Sequence, residues 1–290
     1  MSDFEEQKIT PAVLESFGET PDPRLHALVE SLTRHLHAFV RETQPTQEEW
    51  AQGIEFLTAV GQKCDNVRQE FILLSDVLGV SMLVDAVNRD IGSAETDTTV
   101  LGPFFVENSP IFAQGADISS DIKGDPLYAD VLVRSVDGYP LKGAKVEVWQ
   151  SDAEGFYDVQ RPGIAEGFSL RGTFSSDEDG RVRFWSILPT AYPIPHDGPV
   201  GALLKATGRH PWRPAHLHFK LSAAGYQTIV THLFVKGDPY LKSDAVFGVK
   251  DALVCNFPRH AAGNAPDGRK METPWHTLGY EFALAPDRNM

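Results

Sequence analysis

Only two cysteines, Cys64 and Cys255, occur in 290 residues, and they form no C-x-x-C pair. That scarcity excludes a disulfide-stapled scaffold and a thiolate metal site, leaving two reduced core thiols as the expectation. Basic residues are scarce as well: 26 Lys and Arg against 40 Asp and Glu leave a formal net charge of −14, with no basic cluster to offset it. An acidic surface is not rewarded by nucleic acid or by an anionic membrane, so neither is expected as a partner. Long apolar runs are missing: nothing is long enough to cross a bilayer, and the opening MSDFEEQKIT has neither a basic n-region nor an apolar h-region. The expected location is cytoplasmic. Internal repeats, low-complexity tracts and flexible linkers are absent too, whereas 42% hydrophobic residues suffice to bury a full core.

From about Arg24 to Asn88 the pattern is helical. Leu25, Leu28, Val29, Leu32, Leu36 and Phe39 recur every three to four residues. Thr46-Gln47-Glu48-Glu49 carries capping-box chemistry ahead of Trp50, Ile54 and Leu57, which predicts a second helix. Phe71 to Asn88 reads as a third helical stretch, broken at Gly79. After Asp90 the character changes. Short alternating strands follow from Leu101 onward, joined by turns at Val136-Asp137-Gly138-Tyr139, Asp177-Glu178-Asp179-Gly180 and Ala223-Ala224-Gly225. Strands at this spacing predict a β-sandwich.

The stretch richest in chemistry is Arg213-Pro214-Ala215-His216-Leu217-His218-Phe219. Residues two apart on a strand project to one face, so His216 and His218 offer two imidazoles to a single metal ion, while Leu217, Phe219 and Leu221 form the apolar opposite face. Such a pair also reads as two hydrogen-bonded strand histidines, and spacing alone does not choose. Tyr157 lies where a strand runs into a Gly-containing loop, and Tyr192 lies in a Pro-rich loop after another strand. Each tyrosine alone reads as a packed aromatic with a bonded hydroxyl.

In this order, the V-W-x-x-D-x-x-G-x-Y segment ending at Tyr157, the I-x-P-x-x-Y-P segment around Tyr192 and the G-R-H-x-x-R-P-A-H-x-H-F segment resemble the intradiol ring-cleaving dioxygenases. The resemblance extends over nearly the whole chain. It implies an α+β fold, with an N-terminal helical linker and dimerisation domain over residues 1–98 and a β-sandwich catalytic domain over 99–290. It also implies one non-haem Fe(III) per subunit held by Tyr157, Tyr192, His216 and His218. Two phenolates suit a trivalent, oxygen-seeking ion, which favours ionised phenol as Zn²⁺ favours thiolate, and their charge stabilises Fe(III) over Fe(II). Tyr192 corresponds to the axial tyrosinate that the substrate displaces and that takes a substrate proton. Arg213 stands beside the ring as a fixed cation; from sequence alone it could equally satisfy a carboxylate.

Two segments forming the pocket walls, Phe71 to Gly79 and Thr99 to Val106, look most like those of members that cleave hydroxyquinol (benzene-1,2,4-triol) with O₂ to 3-hydroxy-cis,cis-muconate and so to maleylacetate. By that resemblance the substrate would meet Leu73, Asp76, Val100, Leu101, Gly102, Pro103, Phe104, Ile194, Pro195, Arg213 and Val246. Catechol and chlorocatechol cleavage are the alternatives within the family. His232 stands where catechol-cleaving members commonly carry Gln, and is expected to touch ligand or substrate rather than bind the metal. Asp76 interrupts an apolar helical segment, so it either meets the third hydroxyl of the triol or pairs at the surface with Arg68, Arg89 or Lys63. Similarity also implies a homodimer through the N-terminal helices, with a phospholipid at the interface. Two rivals lie outside the family. A cupin-like Fe(II) oxygenase would use His216, His218 and a carboxylate such as Asp238; a transthyretin-like binding module would hold a small apolar ligand and no metal.

Overall fold

The structure is a computed structural model and describes residues 3–65, 68–88, 94–119, 121–160 and 168–287. It contains two compact units, Met1–Ala59 and Val60–Met290. In the first, α1 (Asp3–Glu15) precedes α2 (Pro23–Thr43) and α3 (Gln47–Gln62), the last running across the division. The start of α2 is set by Asp22, which accepts the N–H groups of Arg24 at 2.8 Å and Leu25 at 3.3 Å, with Pro23 where no N–H is needed. The expected capping box opens α3: Thr46 Oγ1 accepts from Glu49 N at 3.2 Å, and Glu49 Oε2 accepts from Thr46 N at 2.8 Å. Sequence periodicity does not announce α1, whose apolar residues fall on no single face.

In the second unit, α4 (Glu70–Val77) and α5 (Val80–Val87) form the third helical stretch, parted at Gly79, whose φ of 73° is left-handed. The expected boundary after residue 98 lies inside this unit. Then come β1 (Pro126–Ser135), β2 (Lys145–Gln150), β3 (Arg171–Ser175), β4 (Arg181–Ile187), β5 (Tyr192–Pro193), α6 (Pro199–Ala206), β6 (Trp212–Arg213), β7 (His216–Ser222) and β8 (Ile229–Val235). The chain closes with β9 (Val254–Cys255), β10 (Arg259–His260), β11 (Gly263–Asn264), β12 (Lys270–Met271) and β13 (Trp275–Leu284). Two sheets, ordered β10-β13-β1-β4 and β3-β2-β7-β8-β9, make the sandwich. Between them Val131, Val133, Phe184 and Phe282 meet Val146, Val148, Leu217, Phe219 and Leu233, all at most 1% exposed. That core occupies one face of β7, which leaves His216 and His218 on the other. His260 and His276 lie on β10 and β13, and α6 spans two turns, too few to show a period in the sequence.

Candidate metal centre

Three strands deliver the candidate ligands to one place. β2 and β7 pair antiparallel with Trp149 opposite His218, so the loop leaving β2 returns Tyr157 beside the histidine strand. The short β5–β6 ladder sets Tyr192 opposite Arg213, three residues before His216. All four candidate ligands are at most 2% exposed. Tyr157 Oη lies 2.9 Å from His218 Nε2, which lies 3.1 Å from His216 Nε2. The rings of Tyr157 and Tyr192 stand 5.2 Å apart, edge to face.

The protonation states suit a cation. The Pro214 carbonyl, 2.7 Å from His216 Nδ1, can only accept, so Nδ1 carries the proton and Nε2 presents its lone pair to the other donors. Burial, reinforced by Arg213, pushes His216 down to about 3; burial, then His216, pushes His218 well below the usual imidazole value. Both are neutral near pH 7. Burial pushes the Tyr157 phenol well above its ordinary value, with Tyr192 adding to the rise and Arg213 and Arg171 opposing it. Two phenol oxygens and two neutral imidazole nitrogens form a set that a hard, highly charged ion fits, since such an ion supplies the charge that ionises the phenols.

Arg213 borders this set. Its guanidinium, 2% exposed, lies 3.5 Å from Tyr192 Oη and 3.4 Å from His216 Nε2. Asp244 holds it through Nε at 3.0 Å and Nη2 at 3.3 Å, and itself accepts from the N–H groups of Val246 and Gly248. Burial opposes both charges, yet the pairing wins: Arg213 is held above its usual value and Asp244 below it. The carboxylate alternative for Arg213 is met by Asp244. His232, fully buried, completes a cluster with His216 and His218 whose nitrogens lie within 4.8 Å, the only group of three or more His, Cys, Asp or Glu of this kind among the described residues. Arg213 Nη2 can only donate, at 3.4 Å to His232 Nδ1, which leaves the proton of a neutral ring on Nε2.

The expected pocket residues fall into groups. A cleft of about 440 Å³ collects Pro103, Phe104, Ile194 and Pro195, with Phe156 and Arg68 also on its walls. The Phe104 ring stacks on Tyr157 at 4.4 Å. Gly102 has a φ of 76°, and a Cβ there would stand 3.2 Å from His218 Cε1. Val246 is joined to Arg213 through Asp244, while Leu73 and Asp76 are buried on α4. Val100 is half-buried and Leu101 is 40% exposed. A second hollow of about 510 Å³, lined by Arg209, His210 and Phe247, reaches Asp244 but none of the four donors.

Asp76 is 3% exposed, and its Oδ1 has no hydrogen-bond partner. Burial pushes its pKa up, while the Ser81 hydroxyl and the Arg213 charge pull it down. The surface pairing with Arg68 or Lys63 does not form, since Arg68 binds Glu70 at 2.7 Å and Asp197 at 2.5 Å and Lys63 binds Asp197 at 3.1 Å; Arg89 lies outside the described residues. Asp238 is occupied with the Ala215 and Tyr240 N–H groups, at 3.0 and 2.9 Å, which removes the carboxylate of the cupin-like alternative. Sequence reasoning missed Asp244, 31 positions from its partner Arg213 and in no motif. It missed Arg171 as well, whereas Trp149, stacked on His218 at 4.7 Å, stood in the quoted tyrosine motif.

Known proteins resemble the chain over nearly its whole length. A family profile described as "Dioxygenase" matches residues 100–286, and one described as "Catechol dioxygenase N terminus" matches 22–96. The chain is 50% identical over 288 residues to 6-chlorohydroxyquinol 1,2-dioxygenase of Cupriavidus pinatubonensis, covering 99% of each. It is 51% identical over 283 residues to hydroxyquinol 1,2-dioxygenase of Rhizobium sp., covering 97% of this chain and 96% of that one. The crystal structure of hydroxyquinol 1,2-dioxygenase from Pseudomonas putida DLL-E4 superposes with a TM-score of 0.90 at 47% identity, covering 97% of this chain and 99% of that one.

Proposed function

The chain belongs to the intradiol ring-cleaving dioxygenases, a family of non-haem iron enzymes, and from that premise we propose that it opens the ring of hydroxyquinol with O₂. The bond between the two adjacent hydroxylated carbons breaks, and both atoms of O₂ enter the product, 3-hydroxy-cis,cis-muconate, which tautomerises to maleylacetate. The observation that carries the choice of substrate is Asp76, a carboxylate buried on α4 with one unpartnered oxygen and within the field of Arg213. The third hydroxyl of the triol supplies a donor that catechol lacks. The names of the hydroxyquinol-cleaving relatives support the same substrate.

In this reading one Fe(III) per subunit is held by Tyr157, Tyr192, His216 and His218. When bound, it supplies the Lewis acidity that makes the electron-rich ring reactive toward O₂. Tyr192 Oη, beside the Arg213 guanidinium, takes a proton from an incoming hydroxyl. Arg213, kept charged and immobile by Asp244, stabilises negative charge growing on the diol oxygens and ring. His232 faces Arg213 through Nδ1 at 3.4 Å and is assigned to the wall of the site rather than to the metal. Leu73, Val246, Phe104, Ile194 and Pro195 exclude water from a flat ring, with Val100, Leu101, Gly102 and Pro103 completing the wall. The catalytic portion begins at residue 99, next to the start of the matched catalytic profile.

Incubating the iron-loaded protein with hydroxyquinol and with catechol, and identifying the products, tests this reading. One O₂ consumed per triol, with a larger kcat/KM for the triol, is the expected result; preference for catechol overturns the substrate. A colourless protein that retains no iron would instead favour the binding module.

We further propose a cytoplasmic homodimer joined by the first three helices. Leu25, Leu28, Leu32, Leu36 and Phe39 on α2 are each 49–59% exposed, a stripe suited to a second copy. A hollow of about 500 Å³ lined by Ile9, Val40 and Trp50, with His37 and the Arg41–Glu6 ion pair at its polar side, supports a bound phospholipid with its chains on the apolar wall. A monomer in sedimentation at micromolar concentration refutes the dimer, and native mass spectra free of lipid refute the ligand.

A further inference from the structure

Arg171 and Asp158 form an ion pair whose side chains are 1% and 4% exposed, and the reaction gives neither a task. Arg171 opens β3, opposite Trp149 of β2, whose ring stacks on His218. Its Nε donates to Asp158 Oδ2 at 2.6 Å and its Nη2 to Asp158 Oδ1, a two-pronged grip that a lysine cannot reproduce. Nη1 donates to the Phe104 carbonyl at 3.1 Å. Each anchored residue bears on Tyr157. Asp158 is its chain neighbour, and the Phe104 ring covers its face at 4.4 Å. The remaining lone pairs of the carboxylate are engaged by the N–H groups of Val159 at 2.9 Å and Ser169 at 3.4 Å.

A pair buried this deeply is weak evidence for stability, because apolar residues of equal volume commonly replace such pairs without loss. What they do not replace is direction. We propose that Arg171 is a positioning residue for the metal centre, gripping the carboxylate of Asp158, next to Tyr157 in the chain, and the backbone carbonyl of Phe104, whose ring stacks on Tyr157, so that the phenol oxygen stays aimed at His218 Nε2. The proposal rests on Tyr157 being a ligand, as read above. It divides the labour between two buried arginines: Arg213 faces the substrate, while Arg171 orients the tyrosine that stays on the metal. Groups that orient a ligand from behind typically change metal affinity or activity about ten- to a hundredfold when removed.

The test compares Tyr157→Phe, Arg171→Lys and the double variant Arg171→Met/Asp158→Leu, which removes both charges and leaves none stranded. Chelator competition reads iron affinity, the visible tyrosinate-to-iron band reads ligand geometry, and kcat and KM for the triol are measured at equal iron occupancy. The double variant should fold, bind iron about ten- to a hundredfold more weakly with a shifted or weakened band, and lose kcat while KM moves less than about twofold. Arg171→Lys should show the same band change, because it keeps the charge and loses the fork. A double variant that folds with unchanged iron affinity and band overturns the proposal, as does one that fails to fold, since the pair would then serve the fold itself. Full restoration by Lys assigns the effect to charge and overturns positioning. If Tyr157→Phe keeps its iron and colour, the ligand reading fails first, and for a separate reason.

Discussion

Replacing Asp76 by Asn should change which ring the enzyme prefers while leaving its iron in place. The residue is 3% exposed on α4, and its Oδ1 finds no partner in the protein, so water contributes almost nothing to its stabilisation. Burial already pushes its pKa upward, the direction expected of a carboxyl whose charge is poorly solvated. A hydroxyl donated by the substrate would relieve that cost. A hydrogen bond to a charged acceptor is worth about 1.5 to 3 kcal/mol, or about ten- to a hundredfold in kcat/KM. Asparagine preserves shape and removes the charge, so most of that preference should vanish. The assay is the ratio of kcat/KM for hydroxyquinol to that for catechol, at matched iron occupancy, in wild type and Asp76→Asn. Folding stability should hold or rise, since the substitution removes a poorly solvated carboxylate. If both values of kcat/KM move by the same factor, Asp76 takes no part in selection and the reasoning fails.

Three further outcomes follow from the same geometry. Tyr157→Phe and His216→Ala should each lose iron and colour, whereas Tyr192→Phe should keep part of its iron and turn over slowly; normal turnover by the last would remove Tyr192 from proton transfer. Asp244 is held below its ordinary value by Arg213, so its contribution to stability is present above the unfolded carboxyl pKa of about 4 and is lost as pH falls through the lower folded value. Asp244→Asn should cost about 3 to 5 kcal/mol at pH 7 in denaturant titrations and flatten the acid limb; an unchanged limb contradicts this. Gly102→Ala should destabilise by about 1 to 2 kcal/mol through its left-handed φ and weaken iron binding by pressing a methyl on His218 Cε1, 3.2 Å away. Iron affinity equal to wild type would show that the imidazole yields freely.

Sequence alone determined the parts whose physics is local. The α2 stripe, the Thr46–Glu49 capping box, the break at Gly79 and the turn glycines each depend on a few neighbouring residues, and all are found. The projection of His216 and His218 to one face of β7 follows from the two-residue repeat of a strand, and the tyrosine motifs carried the resemblance that joined them to it. Tertiary structure decided what depends on distant residues meeting. Asp244 reaches Arg213 across 31 positions and Arg171 reaches Asp158 across 13, and no periodicity encodes either pair. The fate of Asp76 was undecidable locally, because a carboxylate among leucines is solvated on a surface and costly inside. Only the packing of α4 showed it to be buried with an oxygen to spare, while Arg68 and Lys63 went to other partners. Burial and pairing are properties of the assembled fold, and no local pattern in the sequence carries them.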